Sequence, residues 1–225
     1  SAFLSRKIGT LDLSASGLGS GVEMIISLLF LETLASLSKE QIIILIDEPE
    51  LHLHPQLQEE FVQYLHSLSS EKQIILSTHS PFFYKNCIGK QNIELLVTTC
   101  DDEKCIIDNT TVSLQTFPWS PSWGEINYFA YNLPTIEFHN ELYGYLQEKN
   151  SAYSQQDIEK YFTDNNIPKT KTWIRVNRND SQQPEKVTLM TYIRNHIHHP
   201  ENSNNPQFTQ EELKSSIEVM LELLK

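Results

Sequence analysis

Two short apolar runs organise the first half of the chain. "QIIILI" at 41–46 and "QIILST" at 73–78 carry their hydrophobic residues consecutively rather than alternately. That pattern predicts strands covered on both faces. Between them, from Pro55 to about Leu68, Leu57, Phe61, Tyr64, Leu65 and Leu68 recur at helical spacing. Proline at the first helical position costs nothing, because that N–H has no partner inside the helix. Strand, helix and strand over this distance predict a crossover unit with parallel strands. Upstream, Gly21 to Ser38 is apolar around most of its circumference, as in a helix sandwiched against a sheet. A glycine-rich turn containing Gly9, Gly17 and Gly19 precedes it. A hairpin is predicted from "IELLVTT" at 93–99 and "CIID" at 105–108, joined by an acidic turn.

The pattern changes after about Thr116. "FPWSPSWGEINYFAYNLP" is rich in aromatic residues and proline and reads as a boundary or docking segment. Beyond it, helical periodicity predicts helices at 135–149, 154–165, 186–199 and 209–225, the last opened by a Thr209–Glu212 capping box. The stretches 177–185 and 200–207 are polar and read as loops. The expected fold is therefore α/β: a parallel-sheet domain over 1–116, then a mainly α-helical C-terminal region over 117–225.

Composition adds limits. The chain has 225 residues, 39% hydrophobic, and a formal net charge of -12. A surface wholly devoted to nucleic acid is disfavoured, because phosphate binding is largely electrostatic; a local basic patch or a basic partner remains open. No apolar run approaches the roughly 20 residues that span a bilayer, since Glu32 interrupts the best candidate. Three cysteines, an odd number, predict reduced thiols and a cytoplasmic home. Cys100 and Cys105 lack the second pair that a zinc site needs.

The chemistry begins where the first apolar strand ends, in "LIDEPELHLHP". A rigid strand delivers Asp47 and Glu48 to the carboxyl edge of the sheet, where ligands bind in open parallel sheets. The first acid can hold a hydrated Mg²⁺ and the second can orient or deprotonate a water, as in Mg-nucleotide hydrolysis. Alternatively, both acids cap the following turn. The second strand ends in "STHSP", which places His79 at the same edge, able to donate a hydrogen bond to a phosphoryl oxygen. "SASGLGSGVEM" at 14–24 feeds a helix N-terminus, a natural anion site.

These motifs resemble the C-terminal half of an ABC-type ATPase head, of the SMC-like and OLD-like kind grouped as "AAA family". The resemblance covers roughly residues 10–85. It implies that "IIILIDE" is the Walker B strand, with Asp47 toward Mg²⁺ and Glu48 as catalytic glutamate. It makes "STHSP" the switch loop, with His79 sensing the γ-phosphate of ATP. It makes "GSGVEM" the signature motif: Gly19, Ser20 and Gly21 meet the γ-phosphate held by the opposite subunit of a homodimer with ATP sandwiched between heads. "SASG" at 14–17 is a rival register. No G-x-x-x-x-G-K-[ST] loop occurs in the sequence, so the lysine that neutralises the β- and γ-phosphates is missing. A C-terminal fragment that does not hydrolyse ATP alone is expected.

In the second half, "YIRNHIHHPEN" at 192–202 sets Arg194 and His199 in an R-N-x-x-x-H arrangement. A metal-independent ribonuclease needs an acid or base near the 2′-hydroxyl and a cation for the phosphorane charge, which His and Arg supply. The arrangement resembles the HEPN ribonuclease motif, whose fold is a helical bundle that usually dimerises. Equally open is a helix C-terminus decorated with histidines, which suits its dipole; metal binding is a lesser alternative. An ATPase head with such a tail resembles anti-phage defence ATPases, among them Septu-type subunits that work with a separate nuclease and anticodon nucleases that carry both regions. The leading expectation is a nucleotide-gated dimeric ATPase head in phage defence or nucleic-acid surveillance. The runners-up are an RNA-cleaving enzyme regulated by that head and a non-catalytic docking module, for which the aromatic segment after Thr116 supplies anchors.

Overall fold

The computed structural model describes residues 5–8, 11–14, 20–37, 42–100, 104–109, 114–176 and 182–225. The chain divides into two compact units, Ser1–Leu96 and Val97–Lys225. The sequence pattern instead changes near Thr116, so the structure groups the hairpin after Leu96 with the second unit.

In the first unit, β1 (Ser5–Ile8) pairs antiparallel with β2 (Leu11–Ser14). Helix α1 (Ser20–Leu37) follows, then β3 (Ile43–Asp47), α2 (Pro55–Leu68), β4 (Gln73–Ser77) and α3 (Pro81–Cys87). As expected, β3 and β4 are parallel, in register from Ile43 opposite Gln73 to Asp47 opposite Ser77. Pro55 and Pro81 each open their helix, and Ser80 caps α3 by accepting the Phe83 N–H. Leu53, Phe61, Val62, Leu65, Phe83 and Cys87 form the core, with Met24, Ile25 and Leu28 of α1 and Ile46, Ile74 and Leu76 of the strands against it. A polar clamp backs this packing: Glu32 of α1 accepts from the Tyr64 hydroxyl of α2 at 2.6 Å and from Lys72 at 3.3 Å. Burial and the Glu32 carboxylate push the Tyr64 phenol up to about 12.

The expectation that both strand faces are covered does not hold within this unit. Ile43, Leu45 and Ile75 are 57%, 74% and 53% exposed. Their alternate neighbours Ile46, Ile74 and Leu76 face the helices. The strands carry hydrophobic residues for two covered faces, and among the described residues only one is covered. The same applies to α1, whose Phe30, Leu31, Leu34 and Leu37 are exposed.

The second unit opens with the predicted hairpin, β5 (Val97–Cys100) and β6 (Cys105–Asp108). Its register sets Cys100 directly opposite Cys105, with Cα atoms 4.1 Å apart, and the two form a disulfide. This corrects the expectation of three reduced thiols: the C-x4-C spacing is that of a hairpin end. Only Cys87 is free, and it is buried.

A short α4 (Trp123–Glu125) runs into a π-turn over Ile126–Ala130. Helices α5 (Ile136–Lys149), α6 (Gln155–Asp164), α7 (Leu189–His198) and α8 (Gln210–Glu222) follow the predicted spans closely. Thr135, Ser154, Thr188 and Thr209 cap their N-termini. Phe138, Leu142, Leu146, Ile158, Phe162, Met190, Ile193, Leu213, Ile217 and Met220 are all almost fully buried in one core.

Within the mainly α-helical region, part of the loop expected at 177–185 is strand. Between α6 and α7 lies an antiparallel hairpin, β7 (Lys171–Val176) with β8 (Gln182–Val187). It delays the start of α7 from 186 to Leu189. Trp173 and Val187 pack on Tyr192 in a small separate cluster. The hairpin was masked because β8 reads "QQPEKV", polar and interrupted by Pro184, with one apolar anchor at its end.

Candidate active site

The last register pair of the parallel sheet, Asp47 and Ser77, builds the site. Equal strand lengths place both side chains at the same carboxyl edge. The Ser77 hydroxyl donates to Asp47 Oδ1. Immediately after β3 the chain turns sharply. Glu48 adopts a left-handed conformation, φ 44° and ψ 57°, which disfavours any residue with a Cβ. Hydrogen bonds hold it there: the Glu48 N–H donates to the Ser77 carbonyl at 3.1 Å and lies 3.4 Å from the Ser77 hydroxyl. Pro49 then opens a 3₁₀ turn through His52.

That turn brings the Glu48 carboxylate beside the imidazole of His79. Glu48 Oε1 lies 3.3 Å from His79 Nε2, and the imidazole is otherwise open to solvent, 85% exposed. The backbone of His79 is held from the other side, its N–H donating to Glu50 Oε1 at 2.6 Å. The structure thus brings Asp47, Glu48 and His79 to one rim. It adds Ser77 and Glu50, which sequence reasoning missed. Ser77 was not legible as the partner of Asp47, because strands drawn at 41–46 and 73–78 set Thr78 opposite Ile46, whereas the observed register sets Asp47 opposite Ser77; Glu50 carried no signal beyond being a third acid nearby.

Asp47 is exposed, and its second oxygen has no hydrogen-bond partner among the described residues. A carboxylate oxygen beside a hydroxyl, reachable from water, is a donor set that suits a hard cation such as Mg²⁺. Glu48 can accept a proton from a water, and His79 can present an N–H to an anion.

The helix N-terminus behaves differently. Gly19 lies outside the described residues. Ser20 is the first residue of α1, and Gly21 is buried in its first turn.

In the second unit, His199 is the C-cap of α7, and its Nδ1 lies 3.4 Å from Glu201. Arg194 Nη1 donates to Asn195 Oδ1 at 3.3 Å. No hydrogen bond joins Arg194 to His199. Both lie close enough to His198 to depress it: partial burial foremost, then Arg194 and His199, hold that imidazole below the usual histidine range. A cavity of about 570 Å³ is lined by Trp173, Arg175, Asn195, His199 and Asn202 among others. Asn195 lies almost wholly buried at its wall and donates to Gln155. Among the described residues, no cluster of three or more metal-ligating side chains is present, and no helix is long and apolar enough to cross a membrane.

Residues 7–84 match the family model of the AAA ATPase domain. An OLD nuclease of Thermus scotoductus is 37% identical over 82 residues, 36% of this chain and 16% of that protein. The probable ATPase of retron Vc95 from Vibrio cholerae is 47% identical over 49 residues, 22% of this chain and 10% of that protein. The matches thus span a small share of both relatives. A solved structure described as "Structural biochemistry of ATP-driven dimerization and DNA stimulated activation of SMC ATPases" aligns at a TM-score of 0.39 with 14% identity, covering 55% of this chain and 66% of that one. The N-terminal part of the chain carries an AAA ATPase domain and is related in sequence to the OLD nuclease and the retron ATPase.

Proposed function

We propose that the first unit is the part of a dimeric ATPase head that holds Mg²⁺, directs the attacking water and senses the γ-phosphate. The observation that carries this reading is the 3.3 Å approach of Glu48 and His79 beside Asp47 at the end of a parallel strand pair. The AAA ATPase domain match over the same residues supports it.

In this reading Asp47, steadied by Ser77, would hold the Mg²⁺ of Mg-ATP. Bound metal would neutralise phosphate charge and polarise the terminal phosphoryl group. Glu48 takes a proton from water, its carboxylate aimed by the left-handed turn and the Ser77 bonds. His79 offers its Nε2 side both to Glu48 and to a phosphoryl oxygen, and so reports whether that oxygen is present. The N-terminus of α1, with Ser20 and Gly21, would offer backbone donors to the nucleotide of a second subunit. The phosphate-binding lysine loop does not occur in the 225 residues, and this reading needs that lysine supplied to the nucleotide from elsewhere. The role fits anti-phage defence or nucleic-acid surveillance, in which ATP between two heads would change how their second units are juxtaposed.

The test is turnover. The 225-residue chain alone is expected to show no ATPase activity. In the full-length protein, Glu48→Gln should abolish hydrolysis while nucleotide still binds. Undiminished hydrolysis in Glu48→Gln overturns the reading.

A second reading makes the second unit an RNA-cleaving module with Arg194 and His199 as its reactive pair. The polar cavity that reaches His199, lined also by Trp173, Arg175 and Asn195, favours it: an aromatic edge, amides and a guanidinium are the groups that read an unpaired base. Full-length protein incubated with tRNA and ATP tests it, and cleavage unaffected by Arg194→Ala removes it.

A further inference from the structure

Beyond the acids and the imidazole, the segment after β3 is tied twice to the loop after β4. Glu50 Oε1 accepts the His79 N–H at 2.6 Å. One residue further along, the Ser80 hydroxyl donates to Gln58 Oε1 at 3.3 Å, while Gln58 Nε2 donates to the Leu53 carbonyl at 3.0 Å. Gln58 is 6% exposed, so this second tie is shielded from water. The loop is therefore held through the His79 backbone and the Ser80 side chain, and the His79 imidazole reaches back to Glu48.

The other oxygen of Glu50 is revealing. Oε2 is buried and has no hydrogen-bond partner among the described residues. A buried polar atom without a partner is unfavourable. Such atoms gather where a side chain is held for a purpose other than stability.

We infer that Glu50 is a positioning residue: it fixes the backbone of His79 so that the imidazole stays against Glu48, and it makes the place of the His79 loop follow the 3₁₀ turn at Pro49–His52. The inference deepens the ATPase reading above and rests on it. Glu50 touches no reacting atom. It acts through His79, so a displacement of the turn moves the phosphate-sensing group with it.

Two measurements test this, one of them independent of turnover. In the 225-residue chain, amide exchange at His79 is followed by NMR. Glu50→Ala should speed exchange at His79 about tenfold or more while the amides of β3 and β4 keep their protection, the order expected for loss of a single local hydrogen bond. Glu50→Gln, which keeps an acceptor oxygen, should stay near the parent. Exchange at His79 unchanged in Glu50→Ala overturns the inference. In the full-length protein, Glu50→Ala should lower kcat about tenfold with KM nearly unchanged, the scale seen when a supporting contact of a site is lost. Glu50→Gln should restore most of it, which a loss of folding would not allow. If Glu48→Gln abolishes turnover and Glu50→Ala leaves kcat intact, the role of Glu50 is wrong and the ATPase reading stands. If Glu48→Gln leaves turnover intact, the ATPase reading falls and the role of Glu50 with it.

Discussion

His79 Nε2 stands 3.3 Å from Glu48 Oε1, although the two residues follow different strands. The parallel register makes this possible. Asp47 and Ser77 end their strands side by side, so both loops depart from the same level of the sheet. Glu48 then turns in a left-handed conformation, and its carboxylate meets the His79 imidazole.

Ser77 is central to that arrangement, because its hydroxyl donates to Asp47 and its carbonyl accepts from the Glu48 N–H. Ser77→Ala should raise the Mg²⁺ concentration needed for half-maximal ATP hydrolysis by the full-length protein about tenfold, as expected when the group that orients a metal-holding carboxylate is lost. Ser77→Thr keeps the hydroxyl and should behave like the parent. A Mg²⁺ titration of both variants decides the matter, and equal midpoints would separate Ser77 from the metal.

How far the sequence reached can be seen residue by residue. Asp47 and His79 were legible because consecutive apolar residues define a strand and its end, and parallel strands share a carboxyl edge. Glu48 was legible as an acid at that edge, but its left-handed turn was not: the bonds that hold it come from Ser77 on another strand. Glu50 was invisible for the same reason, since its partner is a backbone amide far along the chain. The exposed face of Ile43, Leu45 and Ile75 contradicts a pattern that reports what residues prefer, not what covers them within one unit. In the second unit, helices with strong caps and periodic apolar positions were readable to within a few residues. The β7–β8 hairpin was not, because its partners are a buried Trp173 and a polar strand broken by Pro184.

Acid should weaken the second unit through His139. The residue is fully buried in α5, its Nε2 3.0 Å from the Ser216 hydroxyl and its Nδ1 without a partner among the described residues. Burial pushes its pKa down to about 3. An unfolded chain protonates such a histidine near about 6.5. Below that pH the unfolded state binds a proton that the folded state refuses. The contribution to stability is complete above about pH 6.5 and is lost as pH falls toward 3, at up to about 1.4 kcal/mol per pH unit. Urea unfolding followed by tryptophan fluorescence should give a lower midpoint at pH 5 than at pH 7.5. All three tryptophans, Trp119, Trp123 and Trp173, lie in this unit. His139→Gln, which keeps a group that can bond Ser216 but does not titrate, should reduce that difference. An unchanged difference would assign the acid sensitivity to other groups.

Thiol counting should follow the structure rather than the odd number of cysteines. Cys87 is 7% exposed in the core of the first unit, and burial pushes its thiol up to about 11, with Lys90 opposing weakly. Thiolate is the reactive form, so Ellman's reagent should find no thiol in the folded, unreduced chain. Unfolding without reductant should release one, and unfolding with prior reduction all three. Two or more reactive thiols in the folded chain would show that Cys100 and Cys105 are not joined.

Two glycines in the second unit should respond to alanine with opposite signs. Gly144 lies in the middle of α5 on its exposed side, and a Cβ built there meets nothing within 4 Å. Alanine removes the entropic penalty of glycine in a helix, so Gly144→Ala should stabilise by about 1 kcal/mol. Gly124 lies in α4 where it crosses α5, and a Cβ there would stand 2.7 Å from Phe138 Cβ and 2.8 Å from the Phe138 Cα. Phe138 is fully buried and backbone cannot swing aside, so the added methyl forces α4 away from the core. Gly124→Ala should therefore destabilise by about 2 kcal/mol, the scale of overpacking in a filled interior. Urea midpoints that moved the same way in both variants would contradict the close approach of α4 and α5, because helix propensity alone predicts a gain at either position.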